Sequence, residues 1–303
     1  MNKLKSLIIL IILSLCIIIG YNLFNLKIEK NNNLKDSSIE NELRTDLNIQ
    51  KSNVENTPID NLTKTDSNIS SGSSESNTLI NDNRGIPVLY YHSVNPNSTN
   101  EVIITPSLLR EHLSYLKNEG YISLTISDVQ NYLINNKPIP EKSILITFDD
   151  GYMDNYYYAF PILKELNLNA TIFCITNVLD GSYYLSEDAI KEMSDYGLDI
   201  QSHTVSHPNL DKLSYADQLN EMINSKKTLE KLTGKDVYSI AYPFGDFNSD
   251  TVKAAKEAGY TLGFTTNRGL SDRDDNPLKL DRIYVSSNYD LNAFKTIFKE
   301  TKK

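Results

Sequence analysis

Two short segments carry side chains that could do chemistry together. Residues 147–152 read TFDDGY, and residues 202–207 read SHTVSH. Asp149 and Asp150 are adjacent carboxylates; His203 and His207 are imidazoles four residues apart. An i, i+4 spacing puts two side chains on one side of a helical turn. Pro208 disfavours the α conformation at His207, so the segment reads as a turn or loop rather than a long helix. Two imidazoles and one carboxylate suit a zinc-like ion that keeps an open position for water. Non-haem iron oxygenases use the same ligand types, so the ligands alone do not name the metal. Each residue also has a plain structural reading. Adjacent Asp residues after a strand form turns and helix caps, and an H-x-x-x-H spacing arises by chance. Yet the chain holds only 4 His, and two of them have this spacing.

The elements that must hold these groups alternate in type. Residues 86–91 form a short apolar run, read as a buried strand. Further strands are read at 143–148 (SILITF), which delivers Asp149 and Asp150, and at 170–176 (ATIFCIT), with Cys174 as a core residue. Strand 198–202 delivers His203, and 238–242, 260–265 and 283–286 complete the set. Helical spacing over 108–116 stops at Gly120. Other helices are expected at 156–166, 187–196, 215–232 (closed by Gly234) and 249–258 (ended by Gly259). Strands alternating with helices imply βαβ units and a parallel sheet. About seven strands favour an α/β fold of the deformed or incomplete TIM-like (β/α) barrel type. In such barrels chemistry gathers where strands end and loops begin.

The two segments, with Tyr242-Pro243-Phe244-Gly245, resemble the first three motifs of the NodB-type polysaccharide deacetylases, the fourth carbohydrate esterase family. The resemblance covers most of residues 86–286, in order and spacing. It implies a deformed (β/α) barrel and removal of acetyl groups from N-acetylglucosamine units or related sugars. It also implies Asp150, His203 and His207 as ligands of one divalent ion, zinc first, with cobalt, nickel or manganese as alternatives. Asp149 is then the general base, and a backbone N–H near Tyr152 helps hold the oxyanion. Tyr152, Tyr242, Pro243 and Phe244 are the expected substrate-binding residues.

Two departures refine this. The family's third motif carries an Arg shortly before the Pro, which orients the catalytic Asp; here Ile240, Ala241 and Tyr242 stand there. Arg282, in LDRI, is the candidate replacement, against a plain reading as a structural Arg. Many relatives supply the general acid as a late His, but no His follows His207. His92, in VLYYHSV, follows the first strand, and this segment resembles the poly-β-1,6-N-acetylglucosamine deacetylases, whose last motif is displaced to the front of the domain. His92 is therefore the expected general acid. His112 belongs to a helix face and takes no catalytic role. Tyr156, Tyr157 and Tyr158 read as helix core and interface, while Tyr183 and Tyr184 lie in a loop that could touch substrate.

Charge and composition limit the partners. Lys and Arg total 30 against 39 Asp and Glu, a net −9 over 303 residues. Such a balance argues against nucleic acid, whose phosphates need a basic surface. Two Cys cannot staple a chain of this length. Residues 1–26 read as an N-terminal transmembrane anchor, or a signal segment if cleaved, because 6–26 carry no charge. Cys16 lacks the small preceding residue of a lipobox and reads as a membrane-helix residue. Residues 27–83, polar and without aromatics, read as a disordered linker. Residues 84–303 read as the catalytic domain, placed outside the cell at the membrane. The favoured substrate is poly-β-1,6-N-acetylglucosamine, with peptidoglycan second. An O-acetyl (xylan) esterase and a non-catalytic carbohydrate-binding protein are the readings from other classes; no protein partner is inferred.

Overall fold

The structure, a computed structural model, describes residues 78–301. Seven strands form its centre: β1 (Val88–Tyr91), β2 (Ser143–Phe148), β3 (Thr171–Cys174), β4 (Asp199–Ser202), β5 (Ser239–Ala241), β6 (Leu262–Arg268) and β7 (Leu280–Tyr284). All pair in parallel, in the order β1–β7–β6–β5–β4–β3–β2, and β1 pairs with β2 to close the ring. The result is a (β/α) barrel with one strand fewer than the eight-stranded form. It is also deformed. Phe264 pairs with Leu280 but Arg268 with Arg282, so the register slips between β6 and β7. Seven helices accompany it: α1 (Pro106–Asn118), α2 (Ile126–Leu133), α3 (Phe160–Leu166), α4 (Glu187–Tyr196), α5 (Tyr215–Thr233), α6 (Ser249–Glu257) and α7 (Leu291–Glu300).

Strand alternation divides the core into two. In β2, Ile144, Ile146 and Phe148 join the larger cluster with apolar residues of the helices, such as Leu109, Leu163 and Met193. Leu145 joins the smaller cluster with Val88, Phe173, Ala241, Phe264 and Leu280, one or two residues from each of several strands. That is the period of two expected of strands buried on both faces. Helix ends follow local chemistry. Ser214 caps α5 by accepting from the Asp217 N–H, and Gly234 ends that helix in the left-handed region. Asn248 and Thr251 form a reciprocal capping box on α6.

The order begins before residue 84. Residues Leu79–Ile80 pair antiparallel with Ile139–Pro140, and the Arg273 guanidinium donates to Asn81 while lying 4.2 Å from the Tyr132 ring centroid. The end of the segment read as linker is therefore part of the folded unit. The anchor read at 1–26, and the linker up to residue 77, lie outside the described residues. Among the described residues no helix is long and apolar enough to cross a membrane. Helices α2 and α7 were not expected from the sequence. The helix expected from residue 156 begins instead as a π-helical turn, Asn155–Ala159.

Candidate active site

The paired strands end together, which brings the chemical groups to one rim. Tyr91 is in register with Phe148, and Cys174 with Ser202. The residues that follow are His92, Asp149 and His203, and the Asp149 N–H donates to the Tyr91 carbonyl at 2.9 Å. Beyond Asp149 the chain turns sharply, with Asp150 and Gly151 both at φ +71°. A Cβ at Gly151 would lie 3.1 Å from Cys174 Sγ, so both the positive φ and the close approach require glycine. Through this turn, neighbouring carboxylates reach different partners.

Asp150 meets the histidines. Its Oδ1 lies 3.3 Å from His203 Nε2 and 3.3 Å from His207 Nε2. One donor atom from each of the three residues lies within 4.8 Å of the others, as a single metal ion requires. His203 Nδ1 must donate to the Ala241 carbonyl, 2.8 Å away, so neutral His203 presents its Nε2 lone pair to the triad. Burial pulls the His203 pKa down, but Asp150 and Asp149 raise it overall. Burial and His203 hold His207 at about 4. Burial raises the Asp150 carboxyl, and the histidines outweigh it, leaving it well below its ordinary range. A carboxylate that attracts a proton to this centre attracts a divalent cation too, so the donor set fits one.

Asp149 instead faces the barrel interior. Arg282 grips it with two bonds, Nη1 to Oδ1 at 2.8 Å and Nη2 to Oδ2 at 2.7 Å. The guanidinium is fully buried, 0 % exposed. Its Nε donates to the Thr265 carbonyl at 2.8 Å, Nη1 also reaches Thr147 Oγ1 at 3.3 Å, and its Cζ lies 4.2 Å from the Tyr90 centroid. A buried charge is tolerated when paired and hydrogen-bonded in this way. Burial raises the Asp149 pKa, but Arg282 prevails and holds it below the usual carboxylate range. A carboxylate offers about four lone-pair sites, so each oxygen keeps capacity for a further donor.

His92 stands beside them on the neighbouring strand end. Its carbonyl accepts from Asn155 Nδ2 at 2.8 Å, while its Nδ1 is buried without a protein partner. Its ring meets Tyr90 and Tyr284 edge-on. Burial lowers its pKa, against the upward pull of Asp149 and Asp150.

A groove of 280 Å³ opens beside Asp150 and His207, with Tyr152, Ile175, Asn177 and Tyr184 in its lining. Tyr152 stacks on Tyr184 at 5.4 Å and meets Tyr183 edge-on, and Tyr183 is 62 % exposed. Phe244 is 58 % exposed, with its ring 4.5 Å from His207. Tyr242 and Pro243 correct the sequence reading. Tyr242 is fully buried with its hydroxyl on the Leu278 carbonyl at 2.9 Å, and Pro243 is buried too, so neither offers a surface to substrate. Tyr157 and Tyr158 are exposed rather than core. Asn155, which ties the His92 backbone, and Glu221, which binds the loop between the histidines, had escaped the sequence reading. The signal for the latter was polar Gln218 and Ser225 on the buried face of α5.

Comparison with known proteins gives a consistent result. The family model described as polysaccharide deacetylase matches residues 136–263. YxkH of Bacillus subtilis (strain 168), named provisionally as a polysaccharide deacetylase, is 38% identical over 209 residues, covering 69% of this chain and 74% of that one. The poly-β-1,6-N-acetyl-D-glucosamine N-deacetylase of Staphylococcus epidermidis is 31% identical over 211 residues, covering 65% and 71%. The Streptococcus pyogenes deacetylase PplD, solved in complex with acetate, superposes with a TM-score of 0.67 at 33% identity, over 71% of this chain and 99% of that one.

Proposed function

Because the chain belongs to the polysaccharide deacetylase family, we propose that it hydrolyses N-acetyl groups of N-acetylglucosamine polymers in a metal-dependent reaction. Poly-β-1,6-N-acetylglucosamine is the proposed substrate, acted on outside the cell by a domain held to the membrane through residues 1–26. The observation that carries the reading is the division of labour between Asp149 and Asp150. One is clamped by Arg282 at 2.8 and 2.7 Å, and the other converges with His203 and His207. The His92 segment and the Staphylococcus epidermidis relative support the choice of polymer.

Asp150, His203 and His207 would hold one divalent ion, zinc first; when bound, it supplies Lewis-acid polarisation of the acetyl carbonyl and a more acidic water. The chain's own groups do the rest. Asp149, ionised and held by Arg282, takes a proton from the attacking water. The water oxygen bonds to the carbonyl carbon, and the Tyr152 N–H donates to the oxyanion that forms. The carbon–nitrogen bond then breaks as His92 passes a proton to the leaving amine. The products are acetate and a glucosamine unit. Phe244, Tyr152 and Tyr184 line the way in for the sugar.

The test is to incubate metal-loaded protein with β-1,6-linked N-acetylglucosamine oligomers and, in parallel, with peptidoglycan fragments and acetylated xylan, following mass loss. Stepwise loss of acetyl from the β-1,6 oligomers is expected. Loss from peptidoglycan alone would replace the substrate, and loss from xylan alone would make the chain an O-acetyl esterase. No loss from any substrate, with metal bound, would leave a carbohydrate-binding protein.

A further inference from the structure

His203 and His207 are separated by a loop in an unusual conformation. Thr204 has φ +68° and His207 has φ +56°, and neither is glycine. Positive φ is strained at a residue with a side chain and persists only where the surroundings impose it. The loop contributes one constraint itself, from the His207 N–H to Thr204 Oγ1 at 3.0 Å. Two more come from the neighbouring strand end, where the Thr176 and Asn177 N–H groups donate to the Thr204 and Val205 carbonyls at 3.2 and 3.0 Å, and the rest involve α5. Glu221 Oε2 accepts from the N–H groups of Val205 and Ser206, at 2.9 and 2.8 Å, and its Oε1 accepts from Ser206 Oγ at 2.8 Å. One turn further along, Ser225 Oγ accepts from Ser202 Oγ at 2.8 Å, and Ser202 Oγ in turn accepts from the Thr204 N–H at 3.2 Å. Residues 221 and 225 are i, i+4 and so share a helix face. Main-chain N–H groups at 204, 205, 206 and 207 are thus all satisfied by side chains, and Glu221 alone takes two of them.

We infer that Glu221 is a positioning residue for the metal site, holding the strained loop so that His207 Nε2 meets Asp150 and His203. The inference rests on the proposed metal role of that triad. His203 needs no such help, because it directly follows β4 and is fixed by the Ala241 carbonyl. His207 lies at the far end of the loop, and among the described residues no hydrogen bond of its ring to the main chain orients it. Its ring is held by Asp150 and by contact with Phe244 and His203. Without Glu221, two N–H groups lose their acceptor, and the 206–207 end of the loop, beyond the bonded Thr204 and Val205 carbonyls, can relax to negative φ. His207 then leaves the triad, while His203 and Asp150 stay.

The test is zinc affinity of the full chain without substrate, measured by competition with a chelator of known affinity. Glu221→Ala should weaken zinc binding about 10–100-fold, as loss of outer-shell partners does elsewhere. Glu221→Gln, which keeps both acceptor oxygen and shape at one position only, should fall between. Ser206→Ala, which removes a single hydroxyl bond and leaves the carboxylate in place, should weaken it least. Far-UV circular dichroism of the metal-free variants should match wild type, and excess zinc should restore kcat in Glu221→Ala. If Glu221→Ala does not fold, Glu221→Gln and Ser206→Ala still decide the matter by their order. Zinc affinities equal to wild type in the folded variants overturn the role of Glu221 alone. A wild type that binds no divalent ion overturns the metal reading beneath it, and this inference with it.

Discussion

His203 on the barrel rim and His112 between α1 and α7 begin from the same position. Both are buried, and each spends one ring nitrogen on a main-chain carbonyl: His203 Nδ1 on Ala241 at 2.8 Å, His112 Nε2 on Tyr289 at 2.9 Å. They differ in what the other nitrogen meets. In the seam, His112 Nδ1 has no partner, and its ring stacks on Phe294 at 4.1 Å with an interplanar angle of 8°. Burial pushes its pKa down to about 4, so it is a neutral, flat packing group. On the rim, the free nitrogen of His203 meets Asp150, and the pKa moves up. A histidine's chemistry is thus set by its second nitrogen, and the barrel provides a carboxylate there only where strands end.

The largest effect should come from removing a rim imidazole. His203→Ala should lose metal binding and reduce turnover by about 10³-fold, since Lewis-acid assistance is worth several kcal/mol. Elemental analysis and acetate release check this; full metal content in the variant would erase the contrast with His112. Chelation of the wild type should match it in rate, and added zinc should reverse that loss.

Arg282→Met comes next. It leaves Asp149 buried without its partner, which costs on the order of 3–5 kcal/mol when one member of a buried pair is removed. Urea unfolding should show that loss, and pairing the change with Asp149→Asn should recover part of it. An unchanged midpoint in the single variant would mean that the carboxylate is not held as described.

His112→Gln should give the smallest effect and leave kcat untouched. Its expected cost near neutrality is about 1 kcal/mol, from the lost ring stack. The pH dependence is the sharper readout. The native pKa of His112 is about 4, below the ordinary value of 6.5. Between these values the unfolded chain binds more protons than the folded one, so stability falls as pH drops from 6.5 towards 4 and is complete above 6.5. The wild type should lose up to about 3 kcal/mol across that window from this group, and His112→Gln should lack that share. Parallel stability profiles for both proteins would show that His112 does not titrate this way.

The comparison also explains what could be read from sequence. The candidate triad was visible because Asp150 and His203 sit at or just after strand ends, His207 follows four residues later, and strand ends follow from apolar runs. His112 was read as part of a helix face because of Leu109, Leu113 and Leu116, and it is buried with them. The barrel was expected from alternating elements, but its closure through β1 and β2 is a long-range pairing with no local mark. For the same reason the meeting of Arg282 with Asp149, across 133 positions, could only be nominated. Tyr242 was misread because a motif locates a residue without saying which way its ring points; here it turns into the core beside Phe247. Helix α7 carries Phe294 and Phe298 at i, i+4, a pattern that was present and passed over. The strand at Leu79–Ile80 consists of two residues, too few for any period to appear.

The most direct test of the account is acetate release from β-1,6-linked N-acetylglucosamine oligomers by Asp149→Asn carrying the same metal content as wild type. One ion per chain and a rate lower by about 10²–10⁴-fold are predicted, the range for loss of a general base. A near-native rate at equal metal content would contradict the assignment of Asp149 and Asp150 to separate tasks.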